Sequence, residues 1–435
     1  MAENTASPRQ TERGIHMDWQ EVCDRGIVNG GSLYRFGKLF TRAGNGERLK
    51  VGFLGGSITQ GALASTPQKC YAYLVHLWLK EHFPDAEWEY INAGIGATTS
   101  QFGVARVESD LLRYQPDLVF LEYSVNDPDT EFFKETFEGT VRKILSAGSR
   151  PALFMFNNAQ YDGGGDSARV HNEIGCAYDL PVVSMKTSIY GEVLAGRILA
   201  PDISPDNLHP NDKGHRMVAD VIVNLLAKIF CAVSGGQWGS QTASVRIDNA
   251  KNGAGHFLLR TGNRVVFSQD RDMVRQPVTK DRFSGSVRFQ NPDFAAGSPP
   301  GTALFLSGFT PDLRPQEYGV ADVFKNGWRA GEEGNFFEIT LEDVSCISVQ
   351  FCRTVRQPAP VAKAVVDGDE EHAVVLDANF DETWGDCCYL KDIAMWLPVG
   401  RHTLRITVVE RPEHMESDFY LISVIAVKAG QGEVS

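Results

Sequence analysis

The chain has 435 residues, 43% of them apolar and 22% charged, with 42 lysines and arginines against 55 acidic residues for a net charge of −13. That length predicts two or three domains with room for a large core, and the composition excludes a disordered or fibrous chain. An acidic chain with no basic cluster excludes nucleic acid as an expected partner and disfavours anionic membrane surfaces.

Residues 1 to 16 are expected to be disordered, and the opening MAENTASPRQTERG has no apolar signal core. No stretch approaches the roughly 18 to 20 uninterrupted apolar residues of a membrane-spanning helix, so a cytoplasmic location without membrane partners is expected. Met17 to Arg48 reads as a helix and lead-in packed on a first domain that runs over 17–233. From about residue 49 to 230, short apolar runs alternate with amphipathic segments. The predicted strands are Leu49 to Leu54, Trp88 to Ala93, Asp117 to Glu122, Pro151 to Asn157 and Leu180 to Met185. Helical spacing recurs at Tyr71, Leu74, Val75, Trp78 and Leu79, and again at Met217, Val218, Val221, Ile222, Leu225 and Ile229. Five parallel strands with crossover helices make a doubly wound, three-layer α/β domain. Its ligands belong beyond the carboxyl ends of the strands, in the loops beginning at Gly55, Gly94, Tyr123, Asn157 and Lys186.

Residues 234–243, SGGQWGSQTA, read as a linker. Beyond it, over 244–435, the segments SVRID, HFLLR, RVVFS, SVRFQ, ALFLS, FFEITL, SCISVQF, AKAVVD, HAVVLD, HTLRITVV and FYLISVIAV are short, β-branched and aromatic. They predict an antiparallel β-sandwich. The eight cysteines (Cys23, Cys70, Cys176, Cys231, Cys346, Cys352, Cys387, Cys388) form no CxxC pair and have no histidines at zinc-like spacing. They predict reduced, mostly buried thiols, and no metal or other cofactor is expected.

Four segments carry chemistry. In KVGFLGGSITQG, Lys50 to Gly61, a buried strand ends in two glycines and Ser57, which lifts a hydroxyl to the sheet rim among free backbone N–H groups. Taken alone, the pattern also describes a serine capping a helix. Thr59 stands where the GxSxG elbow requires glycine, which weakens an ordinary α/β-hydrolase reading. In DNLHPNDKGH, Asp206 and His209 are three apart on a loop entering the last helix, so the carboxylate can hold Nδ1–H and turn Nε2 toward a serine. His215, on the helix, reads as structural. Treating Asp206, His209 and His215 as metal ligands needs a further ligand that the sequence does not supply. Asn92 to Ser100, NAGIGATTS, is rich in small residues whose backbone can approach a substrate closely. Finally, Glu122 to Asp127, EYSVND, places Asn126 and its amide donor on the same rim.

In this order the four segments resemble the blocks of the SGNH (GDSL-type) hydrolases, over about residues 48 to 230. The resemblance implies that Ser57 is the nucleophile, His209 the general base and then acid, and Asp206 its partner. It also implies an oxyanion hole made by the Ser57 N–H, a backbone N–H of Gly96 or Ala97, and the Asn126 side chain. Three positions depart from the family pattern: Gly56 replaces the usual aspartate, Ser124 replaces the glycine of GxND, and the ungapped second-block glycine falls on Ala97. The whole chain, with WQEVCDRGIVNGGSLYRF, CYAY, ETWGDCCYL and FYLISVIA, is similar to two-domain bacterial carbohydrate esterases, among them acetyl esterases acting on mannan-type oligosaccharides. Their β-domain resembles a carbohydrate-binding module.

The resemblance therefore implies a cofactor-free serine esterase that removes acetyl groups from oligosaccharides through an acyl-enzyme. The alternatives are a carbohydrate-binding protein with an inactive hydrolase domain and a lipase or thioesterase for longer acyl chains. A homo-oligomer stays open. Trp328, Trp384 and Trp396 can stack on sugar rings or fill the sandwich core, and Tyr161 to Asp166 is either a lid or a plain loop.

Overall fold

The structure is a computed structural model that describes residues 17–163, 166–235, 246–247, 265–271, 274–315 and 322–429. The segment 1–16 and the linker residues 236–243 lie outside the described residues. The first domain runs α1 (Trp19–Arg25), β1 (Ile27–Asn29), α2 (Tyr34–Gly44), β2 (Arg48–Gly55), α3 (Ser57–Gln60), α4 (Tyr71–His82), β3 (Glu87–Gly94), α5 (Ser100–Asp110), β4 (Leu118–Glu122), α6 (Glu131–Ser146), β5 (Ala152–Asn157), α7 (Ala168–Ala177), β6 (Val182–Ser184), α8 (Ile189–Leu194) and α9 (Asp212–Val233). The sheet order is β1-β6-β5-β4-β2-β3. All neighbours are parallel except β1, which pairs antiparallel with β6. The sheet thus has six strands and is mixed, where the apolar pattern predicts five parallel ones. The added edge strand has only three residues, too few for any period to register.

Successive strand residues feed opposite layers. Phe53, Phe120, Phe154 and Phe156 point toward α2, α4 and α9 and share a buried cluster with Phe36, Val75 and Leu225. Their neighbours Leu54, Val119, Leu121, Leu153 and Met155 pack with Val107 of α5, Phe137 and Val141 of α6, and Ile174 of α7. This is why the strands read as continuous apolar runs. Helix α9 starts where the Asn211 side chain accepts the Gly214 N–H at 3.1 Å. It buries Met217, Val218, Val221, Ile222, Leu225 and Ile229 on one face.

The second domain is built from β9 (Ser286–Phe289), β10 (Thr302–Ser307), β11 (Thr310–Pro311), β12 (Trp328–Ala330), β13 (Phe336–Arg353), β14 (Val361–Val366), β15 (Val374–Asp377), β16 (Cys387–Ala394), β17 (Gly400–Glu410) and β18 (Phe419–Lys428), all pairing antiparallel. FFEITL and SCISVQF, two strands by sequence, are one 18-residue strand, β13. Its first half lies between β10 and β17, its second between β16 and β18. Register shifts between Leu341 and Val344, around the left-handed Asp343 (φ 58°), divide the two halves. From Phe336 to Leu341 buried and half-buried residues alternate, whereas Cys346 to Phe351 are buried without a break. One half therefore faces solvent on one side, and the other half is covered on both.

The first domain supplies that second cover. Ile95, Phe102 and Ala105 pack against Cys388, Tyr420, Ile422 and Ile425. At the rim, Gln101 donates to Asp392 at 2.6 Å and Arg282 pairs with Glu135 at 2.6 Å. The sandwich also begins later than expected. β8 (Val266–Phe267), which pairs in parallel with the short β7 (Arg246–Ile247), places Phe267 in the core of the α/β domain. The N–H groups of Val278 and Thr279 donate to Glu138 on α6. HFLLR lies outside the described residues.

Candidate active site

The order of the strands decides which loops meet. β2 lies between β3 and β4, so the chain goes from β2 to one side and then from β3 back across it to the other, which marks the switch point of the sheet. In register, Gly55 is level with Gly94 on one side and Glu122 on the other. The three following loops carry Ser57, Gly96 with Ala97, and Asn126. Their close approach requires glycine. A Cβ on Gly94 would stand 2.2 Å from the Gln60 nitrogen, and one on Gly56 would stand 2.5 Å from Oδ1 of Asn126.

Ser57 opens the single turn α3, with its Oγ 2.8 Å from Nε2 of His209. Nδ1 of His209 is 2.6 Å from Oδ2 of Asp206. A carboxylate only accepts, so Nδ1 carries the proton and Nε2 accepts from the Ser57 hydroxyl. Oδ1 of Asp206 also takes the N–H groups of Leu208 and His209 at 3.0 and 2.7 Å, across the left-handed Asn207 (φ 63°). Partial burial pushes the Asp206 pKa up, but the hydrogen bonds from the His209 ring and the two N–H groups outweigh it and hold the carboxyl below its ordinary range. Asp212 fastens the loop to the nucleophile side by accepting the Ser65 N–H and hydroxyl at 2.8 and 2.7 Å.

His215 is not part of this group. Its buried ring accepts the Tyr71 N–H at Nδ1 (3.3 Å) and donates from Nε2 to the Ala62 carbonyl (3.2 Å), and burial lowers its pKa. The ring is a neutral strut between α9, α4 and the loop after α3.

The second block separates its two candidate donors. The Gly96 N–H donates to Oε1 of Gln60 at 2.8 Å. Ala97 is exposed and has φ 56°, the left-handed conformation that favours glycine, at the position where the family pattern has that residue. Asn126 is half-buried beside Gly56. Sequence reasoning passed over Gln60, although it stands three residues after Ser57 in the strongest segment. At Gly56, where the family pattern has aspartate, the missing Cβ leaves room for the Asn126 side chain where it stands in this chain. Trp328 is a core residue at 1% exposure, whereas Trp384, 59% exposed in the loop before β16, packs edge-on against Phe380 with ring centroids 5.1 Å apart. Trp396 lies under the Arg282 guanidinium, 3.6 Å from its ring centroid.

Residues 53–217 match the model of the GDSL-like lipase/acylhydrolase family. Thioesterase 1/protease 1/lysophospholipase L1 of Escherichia coli (strain K12) is 27% identical over 176 residues, 38% of this chain and 78% of that protein. Two crystal structures of a two-domain esterase (CEX) active on acetylated mannans are 42% identical and cover 94% of this chain. The form co-crystallised with mannopentaose has a TM-score of 0.78 over 98% of its chain, and the other has 0.79 over 99%. Because the likeness to that esterase runs through both domains and the family model matches the first, the chain belongs to the GDSL-like (SGNH) hydrolase family, as one of its two-domain serine esterases.

Proposed function

We propose that the protein removes acetyl groups from oligosaccharides of the acetylated mannan type, with Ser57, His209 and Asp206 as its catalytic residues. The carrying observation is the 2.8 Å contact of Ser57 Oγ with an imidazole whose other nitrogen is held by a carboxylate. As Oγ bonds to the acetyl carbonyl carbon, its proton passes to Nε2 of His209. The oxyanion is held by the Ser57 N–H, the Ala97 N–H and the Asn126 amide. Collapse breaks the bond to the sugar oxygen, which takes the proton from His209, and the acetyl group stays on Ser57. Water then gives a proton to Nε2, its oxygen attacks the same carbonyl, and acetate leaves as Ser57 regains its proton. The substrate class is supported by the 42% identity to an esterase active on acetylated mannans. We further propose a cytoplasmic site of action on short imported oligosaccharides, supported by eight free cysteines.

The test is acetate release, followed by NMR, from acetylated manno-oligosaccharides and xylo-oligosaccharides by wild type and Ser57→Ala. Release from the manno series that disappears in the variant is expected. Equal release by both proteins removes Ser57 as the nucleophile, and a preference for the xylo series overturns the substrate assignment.

A further inference from the structure

Behind the oxyanion side lies a buried polar cluster that the reaction steps do not use. Asp127, His171 and Ser167 are 4%, 0% and 0% exposed. Oδ2 of Asp127 takes the Nε2–H of His171 at 3.0 Å, and the imidazole stacks on Phe137 with centroids 3.6 Å apart. Oδ1 of the same carboxylate takes the Ser100 N–H at 2.8 Å. Ser167, at the start of α7, donates its N–H and hydroxyl to the Ser124 carbonyl at 2.9 and 3.1 Å. From the other side, Oε1 of Glu122 takes the Ser124 N–H and hydroxyl at 2.7 and 2.6 Å.

The bonds have one geometric effect. Ser100 is three residues beyond Ala97, and Asp127 is the neighbour of Asn126. A single carboxylate therefore ties together the two loops that carry separate oxyanion donors, and α7 fixes that carboxylate through His171. Oxyanion donors act through their placement relative to one another, and errors of about 1 Å cost up to roughly a hundredfold in rate.

We propose that Asp127 and His171 are positioning residues that set the spacing between the Ala97 N–H and the Asn126 amide. The inference rests on the esterase reading above. It assigns to the buried imidazole a role in transition-state binding, exerted through Asn126 and Ala97 and not on the substrate.

The test compares His171→Leu, which removes the donor, with His171→Gln, whose amide can restore an N–H near the position of Nε2. Each is made in the wild-type and Asn126→Ala backgrounds and assayed by kcat and KM for acetate release. A boronic acid that mimics the tetrahedral adduct is titrated as well. His171→Leu is expected to lower kcat about 10- to 100-fold with KM within about twofold. Boronate affinity falls in parallel, and the glutamine variant recovers most of both. In the Asn126→Ala background the leucine change costs less than about threefold, because one of the donors it would misplace is already gone. An equal cost in both backgrounds, or a change in KM alone, overturns the proposal. Should the leucine variant not fold, Asp127→Asn carries the same test, since it keeps the shape and turns one of the two acceptors that tie Ser100 and His171 together into a donor. A Ser57-dependent wild type with normal kcat in these variants removes the positioning role and leaves the esterase reading intact. Activity independent of Ser57 removes that reading itself.

Discussion

Two loops of this protein hold a histidine by the same pattern of hydrogen bonds to an aspartate, one across a left-handed residue and the other in a 3-10 turn, and the first meets a serine. At Asp206-x-x-His209 the carboxylate takes two N–H groups at 3.0 and 2.7 Å and the histidine Nδ1 at 2.6 Å. At Asp369-x-x-His372, in the β-domain, the carboxylate takes the N–H groups of Glu371 and His372 at 3.2 and 3.3 Å and Nδ1 at 2.8 Å. Both are local turns in which an aspartate side chain replaces a backbone acceptor. His372 ends 79% exposed, while His209 ends 2.8 Å from Ser57, a residue 152 positions away. The oriented Asp–His pair is thus a property of a few adjacent residues. Catalytic competence comes from the sheet order that places the end of β2 opposite that pair.

The comparison breaks most readily at the two histidines. His209→Ala is expected to lower kcat by about three orders of magnitude or more, and His372→Ala to leave it unchanged, since only the first ring can take the Ser57 proton. Melting temperatures of both variants should stay near the wild-type value, because both rings sit on surface loops. A comparable loss at His372, read by acetate release, would show that the local turn matters for a reason other than its meeting with Ser57.

A second prediction sharpens the long-range half of the argument. Gly56→Ala puts a Cβ 2.5 Å from Oδ1 of Asn126, so the amide must move. Loss of one oxyanion donor lowers kcat on the order of 10² to 10³, and Gly56→Ala should approach the lower end of that range with KM little changed. An alanine variant with full turnover would place the Asn126 donor outside the reaction. Gln60→Ala follows with a smaller effect. It frees the Gly96 N–H and leaves the second block without one hydrogen bond, which corresponds to about a two- to tenfold fall in kcat.

How much of this was legible in the sequence follows the same division. Ser57, Asp206 and His209 stood out as candidates because their segments resemble, in order, the blocks of one family, whereas Ser57 taken alone fits a helix cap equally well. The parallel strands were readable because both faces of the sheet are buried, so Val119 and Phe120 are apolar alike. Features set by distant contacts were not. The edge strand Ile27–Asn29 is defined by its partner β6, and β13 looks like two strands because its burial pattern and its neighbours change halfway. β8 was assigned to the sandwich by its β-branched texture, yet Phe267 fills the α/β core, which texture alone cannot tell. Gln60 and the Asp127–His171 pair escaped notice because their partners, Gly96 and Ser100 among them, are fixed by tertiary structure.

Glu122 provides the mildest test, and it separates the framework from the chemistry. Its side chain is fully buried and raised in pKa by desolvation, which outweighs the lowering contributions of the Ser124 hydroxyl and N–H. A carboxyl raised in the folded state adds stability that is complete below its unfolded pKa, near 4.3, and is lost as pH rises through the folded value. Glu122→Gln keeps an acceptor for both Ser124 groups and has no charge to bury. The variant should therefore show a flatter dependence of melting temperature on pH than wild type above about pH 5, with kcat within about threefold. Parallel melting curves for the two proteins would mean that Glu122 titrates as it does in the unfolded chain. A large fall in kcat would mean that its charge, and not merely its acceptor oxygen, holds the turn that carries Asn126.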